Sequence, residues 1–132
     1  MKLKTIAYLL FFIELLYSCD PSQTIEFENK TNSIATLTFY FSGETNYRFQ
    51  NFVTEDSLKI SLEPQQSILY NFGIGTWEIN NNLDSLVVLI DSIAIKTENS
   101  IQFFSSESQV KSFFRDRLIN DRYKAKIIIE LK

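Results

Sequence analysis

The side chains able to do chemistry in this chain are few, and the residue types it lacks narrow the field first. It contains no histidine and one cysteine, Cys19. The lack of histidine removes Ser-His-Asp and Cys-His catalysis, the commonest general base, and every zinc site that needs an imidazole. Carboxylates remain, and a pair of them could serve glycoside hydrolysis or an oxygen-ligand calcium site. Yet Glu55-Asp56, Asp84 and Asp91 do not follow the alternating spacing of a calcium loop, and solvated turns account for them, given the preference of acids for the surface. Gly73-Ile74-Gly75 lacks the lysine of a P-loop and the third glycine of a dinucleotide fingerprint, so it reads as a strand break. Trp77, with Tyr70, Phe72 and Tyr47, could form a ligand platform for the C–H face of a sugar. Burial in the core is the competing reading, since aromatic rings dominate core energetics.

The first twenty residues carry a more specific signal. Lys2 and Lys4 precede an apolar run, Ile6 to Ile13, and Ser18 is a small residue just ahead of Cys19, the layout of an export signal. The run is shorter than the ~20 residues a membrane-spanning helix needs, and the polar sequence Asp20-Pro21-Ser22-Gln23 follows it. Leu16-Tyr17-Ser18-Cys19 resembles the lipobox of bacterial lipoprotein signal peptides. That resemblance implies cleavage between Ser18 and Cys19, a diacylglycerol on the Cys19 sulfur and an acyl group on the new amino terminus. Cys19 used in this way leaves no thiol for catalysis or for a disulfide. One acyl chain holds only marginally, at about 0.8 kcal/mol per buried methylene, whereas several hold firmly. An ordinary secretory signal with an incidental cysteine, or a buried N-terminal helix, would fit the same residues without lipid.

Three triplets, Asp56-Ser57-Leu58, Asp84-Ser85-Leu86 and Asp91-Ser92-Ile93, resemble the O-glycosylation acceptor of exported Bacteroidota proteins. The resemblance implies sugars on Ser57, Ser85 or Ser92. Asp-Ser ahead of an aliphatic residue is also ordinary turn chemistry at the start of a strand. Asn29-Lys30-Thr31 matches an N-glycosylation sequon, a modification not expected behind most bacterial lipoboxes.

Loss of the first 18 of 132 residues would leave 114, the size of one domain. The expected division is a signal peptide over 1–18, a polar linker over 19–23 and one folded domain over 24–132. Without a disulfide that domain must be held by packing, and a composition 45% hydrophobic and 14% aromatic can supply it. A net charge of −3 offers no basic face for nucleic acid.

Alternation with period two dominates from Ser22 onward and predicts half-buried strands. Ile25 and Phe27 mark the first, and Ala35, Leu37, Phe39 and Phe41 the second, with Thr36, Thr38 and Tyr40 on its other face. The turn Ser42-Gly43-Glu44-Thr45 is expected to close a hairpin with a returning strand through Tyr47, Phe49 and Phe52. Leu58, Ile60 and Leu62 form the clearest alternation, and Ile68, Tyr70 and Phe72 follow the turn at Pro64. Leu86 to Ile90 has no polar position and predicts a strand covered on both faces at the centre of the core. Ile93, Ile95 and Ile101 to Phe104 continue the strands. Val110, Phe113, Phe114 and Leu118 then change to helical spacing behind a capping box at Ser106 and Gln109. Tyr123, Ala125, Ile127, Ile129 and Leu131 end the chain as a strand.

This pattern predicts an all-β fold, an antiparallel two-sheet β-sandwich of Ig-like arrangement with one short helix before the last strand. The lipobox, short polar linker and β-rich domain resemble small lipoproteins of Bacteroidota-type bacteria. The functional expectation is a non-enzymatic binding or accessory module in the cell envelope, anchored to the membrane by lipid on Cys19. The outer membrane is favoured over the inner, and the expected partner is an envelope protein or a glycan. No cofactor, metal or catalytic residue is called for. A carboxylate-dependent envelope hydrolase and a periplasmic immunity or inhibitor protein are the alternatives.

Overall fold

The computed structural model describes residues 20–42, 56–120 and 124–132. The expected signal peptide, Cys19, the expected returning strand with Tyr47, Phe49 and Phe52, and Tyr123 lie outside the described residues. In chain order the elements are β1 Ser22–Asn29, β2 Ala35–Phe41, β3 Ser57–Leu62, β4 Ser67–Ile74, α1 Asn82–Val87, β5 Ile90–Lys96, β6 Ile101–Phe104, α2 Glu107–Arg115, β7 Leu118–Asn120 and β8 Ala125–Leu131.

Alternation sets the strands. β1 buries Ile25 and Phe27, β2 buries Ala35, Leu37, Phe39 and Phe41, β3 buries Leu58, Ile60 and Leu62, and β8 buries Ala125, Ile127, Ile129 and Leu131. The residues between them face outward, as the two-residue repeat of a pleated strand requires. Two four-stranded sheets result, one ordered β4-β1-β8-β7 and the other β3-β2-β5-β6. Their buried faces contribute to one core. Phe27 of the first sheet meets Phe39 of the second edge to face, with ring centroids 5.9 Å apart.

The architecture is sandwich-like and mostly β, but one sheet is mixed rather than antiparallel. β1 and β8 run parallel, with Ile25 opposite Ile127 and Phe27 opposite Ile129. Parallel neighbours need a long crossover, and here the crossover is nearly the whole chain, since the first described strand pairs with the last. The number and spacing of the strands suggest an Ig-like arrangement; these strand orders do not establish it. Among the described residues there are two helices rather than one, and two strands, β7 and β8, follow the second.

The additional helix replaces the expected central strand. Leu83, Leu86, Val87 and Ile90 are all buried, and their spacing of three, four and seven is that of one helix face. Val88, in the middle of the apolar run, is 63% exposed at the end of α1. The run therefore crosses an element boundary, and only Ile90 belongs to a strand. A salt bridge from Lys111 Nζ to Asp84 Oδ2, 2.8 Å long, ties α1 to α2.

α2 begins as expected. The Ser106 hydroxyl accepts from the Gln109 backbone N–H, while Gln109 Oε1 accepts from the Ser106 N–H, both at 3.3 Å. Val110, Phe113 and Phe114 form its buried face. Phe114 stacks on Phe39 at 6.0 Å, and Phe113 packs against Phe104 at 5.0 Å, so the helix seals one side of the core. Leu118, expected on the same helix face, instead opens β7 after the helix has ended.

β4 departs from its expected burial. Tyr70 and Phe72 are only partly buried and Ile68 is 37% exposed, because β4 is an edge strand of its sheet. Gly73 and Gly75 take φ of +130° and +120°, a backbone region that side chains rarely adopt. Gly73 lies beside a register shift within β4, opposite Gln23, and Gly75 follows the strand's end, where its N–H turns back to donate to Pro21 O at 2.8 Å.

Candidate functional site

The residues singled out by sequence are scattered through this framework. Trp77 is 1% exposed and so offers no open ring face. Its indole N–H donates to Thr24 O at 3.3 Å, and Asn120 grips its backbone from both sides, accepting from the Trp77 N–H and donating to its carbonyl. Its neighbours are Phe72, ring centroids 5.7 Å away, and the strand β1. Burial with a satisfied N–H makes it a core residue. Tyr70 lies at the sheet edge against Phe27, with its phenol pushed up by burial, and Tyr47 lies outside the described residues. Trp77 and Tyr70 do not form an exposed platform with one another.

The three Asp-Ser-aliphatic triplets occupy different settings. Ser57 is half-buried at the first position of β3, Ser85 is exposed on α1, where its hydroxyl donates to Asn81 O at 2.8 Å, and Ser92 is 6% exposed inside β5. Of the three, only Ser85 lies in a helix. The sequon residue Asn29 is fully buried, and its amide donates to the carbonyls of Ser33, Leu62 and Glu63. Its Oδ1 accepts from the backbone and hydroxyl of Thr31. Asn29 thus joins the end of β1 to the following turn and to the end of β3.

A different surface gathers chemistry into one place, the outer face of the β3-β2-β5-β6 sheet. Because Leu37, Phe39, Ile93 and Ile95 point into the core, their neighbours along the strands point away from it. Cross-strand register arranges those neighbours in rows. Ser61, Thr36, Lys96 and Ile101 form one, Lys59, Thr38, Ala94 and Phe103 the next, and Ser57, Tyr40 and Ser92 the third. The small side chains at the centre leave a shallow trough of about 420 Å³, bordered by Ile34, Tyr40, Lys59, Lys96 and Ile101, with Glu98 at the turn end. Ile34, Tyr40, Ile101 and Phe103 are 55%, 42%, 72% and 56% exposed, an apolar content that singles the face out from an ordinary polar sheet surface. Among the described residues neither Lys59 nor Lys96 is in an ion pair.

The larger concavity, about 580 Å³, lies over β7 and β8 and includes Asp116, Arg117, Glu130 and Lys132. Its charges neutralise one another. Lys132 and Lys30 both bond to Glu130, at 2.6 and 2.7 Å, and hold its carboxyl down at about 2. A general acid needs the opposite shift. Arg117 is anchored by its own surroundings, lying 4.3 Å over the Phe113 ring and donating to Phe113 O, with burial lowering its pKa. Among the described residues no three carboxylates or cysteines converge as metal ligands.

Sequence alternation places Tyr40 on the outward side of its strand but does not join it to Lys59 and Lys96. β2 pairs with β5 across a gap of some fifty residues, a neighbour relation that no local pattern reports. The outward alternation itself was the usable signal: Thr36, Thr38 and Tyr40 share one face in sequence alone. Compared with known protein families, with characterised proteins and with solved structures, the chain matches none.

Proposed function

We propose that the chain is an envelope lipoprotein, held at the outer membrane by acyl chains on Cys19 and carrying a non-enzymatic binding module. The observation that carries the anchor is the position of Cys19, the only cysteine in the chain, directly behind Lys2, Lys4, the apolar run and Ser18. What supports the binding role is the outer face of the β3-β2-β5-β6 sheet, where exposed Tyr40, Phe103, Ile101 and Ile34 stand beside Lys59 and Lys96. Exposed apolar groups interleaved with cations on a rigid sheet are a contact surface in search of an anionic or aromatic-compatible partner. The hydrolase alternative is not favoured, because Glu130, in the concavity over β7 and β8, is engaged by two lysines.

Fractionation of cells tests the anchor. Wild-type protein is expected in the membrane fraction, and Cys19→Ser in the soluble fraction or as unprocessed precursor. Recovery of both forms as soluble, mature protein would sink the assignment.

A further inference from the structure

We infer that the trough on the outer face of the β3-β2-β5-β6 sheet takes an acidic glycan, an inference that rests on the binding-module reading above. Charge is the first argument. The chain as a whole carries −3, yet the charged residues that line this trough are Lys59, Lys96 and Glu98, with Glu98 on the turn and the one acid of its strands, Asp91, outside the lining at the far end of β5. Two lysines without ion-pair partners among the described residues form a positive strip on an acidic protein, which draws an anionic ligand to this face in preference to the rest of the surface.

The lining is the second argument. Thr36 and Thr38 floor the trough, and Ser57 and Ser61 follow on β3, with the Thr36 and Ser61 hydroxyls 3.3 Å apart. Hydroxyls both donate and accept, so they complement a ligand that carries hydroxyls along its length. Tyr40 at one end and Phe103 at the β6 edge supply rings, 42% and 56% exposed, against which the C–H face of a sugar can lie. Strand spacing makes the row from Lys59 to Phe103 about 14 Å across, room for a short oligosaccharide.

The same lining argues against a protein partner or a bilayer. The cores of protein interfaces are depleted of Lys, Ser and Ala, and these types occupy the rows of this face at Lys59, Lys96, Ser57, Ser61 and Ala94. A bilayer is entered by apolar groups that project from a surface, whereas here the centre is recessed.

The test is titration calorimetry of the mature acylated protein, in non-ionic detergent, with polygalacturonate and with uncharged dextran. The inference predicts saturable binding of polygalacturonate that weakens about tenfold between about 0.05 M and 0.5 M salt, since screening shortens the reach of the lysines. Dextran is expected not to bind comparably. The double variant Lys59→Gln/Lys96→Gln should lose about tenfold in affinity. Tyr40→Phe should retain binding and Tyr40→Ala lose it, with circular dichroism confirming that each is folded. Lys124→Gln, on exposed surface outside the trough, serves as the control and should bind as wild type. Failure of polygalacturonate to bind, or equal binding by the double variant and wild type, overturns the inference. A photo-crosslinking residue in place of Tyr40, used in intact cells, separates the two levels. A specific protein adduct with no polygalacturonate binding overturns the glycan and leaves the binding module standing, while neither adduct nor binding overturns both.

Discussion

Asn29 is the polar residue on which most of the local structure depends. Its amide donates to three carbonyls that belong to a turn, a strand end and a second turn, and its own oxygen is used by Thr31. Asn29→Ala would leave the Leu62 carbonyl buried without its donor and the other two partly so. Orphaned buried acceptors cost about 1–3 kcal/mol each, so a loss of about 2–4 kcal/mol is expected, read as a lower urea midpoint with the slope unchanged. A loss below half a kcal/mol would show that water replaces the amide at little cost. Glu130 behaves differently, because it is only half-buried. Hydrogen bonds from Lys132 and Lys30 lower its carboxyl from 4.5 to about 2. The folded value is below the unfolded one, so its contribution is complete above the unfolded value and is lost as pH falls from there through the folded one. The difference in urea midpoint between wild type and Glu130→Gln should therefore be constant at neutral pH and close during acidification toward pH ~2. A difference that widens on acidification would contradict the ion-pair account.

At the scale of elements, α2 shows how local chemistry and packing combine. Ser106→Ala removes the hydroxyl that accepts from the Gln109 N–H in the capping box, and caps of this kind contribute about 1 kcal/mol. Thermal unfolding of Ser106→Ala should fall by several degrees, and Ser106→Asp, which can still accept from the Gln109 N–H, should recover most of the loss. No recovery by Asp would mean that the cap is not what the serine supplies. This helix was legible in the sequence because both its cap and its apolar spacing are local. α1 was not, and the reason is physical. An uninterrupted apolar run looks the same whether it is a buried strand or a helix face followed by a strand. Only the wider spacing of Leu83, Leu86, Val87 and Ile90 distinguishes them, and it extends outside the run itself. β4 was legible as a strand from its alternation, but its position at a sheet edge, which leaves Ile68 partly in water, depends on pairing with β1 rather than on its own residues.

At the scale of the molecule, non-local pairing decides what sequence pattern could not. The parallel contact of β1 with β8 and the placement of β5 between β2 and β6 both join segments far apart in the chain. The first makes one sheet mixed. The second puts Lys96 and Phe103 on the same face as Tyr40 and Lys59, and so creates the trough on which the proposed binding role rests. Trp77 shows the converse: as the sole tryptophan it drew attention in sequence, but Asn120 and Phe72 enclose it. The proposal is of a sandwich-like domain held by lipid at one end and presenting one sheet face to a ligand. Its central claim is the lipid. Mass spectrometry of the amino-terminal peptide of the native protein tests it most directly. The expected result is a peptide that begins at Cys19 and carries a diacylglyceryl group on sulfur and an acyl group on nitrogen. A peptide with an unmodified Cys19, or one that retains residues 1–18, would contradict it.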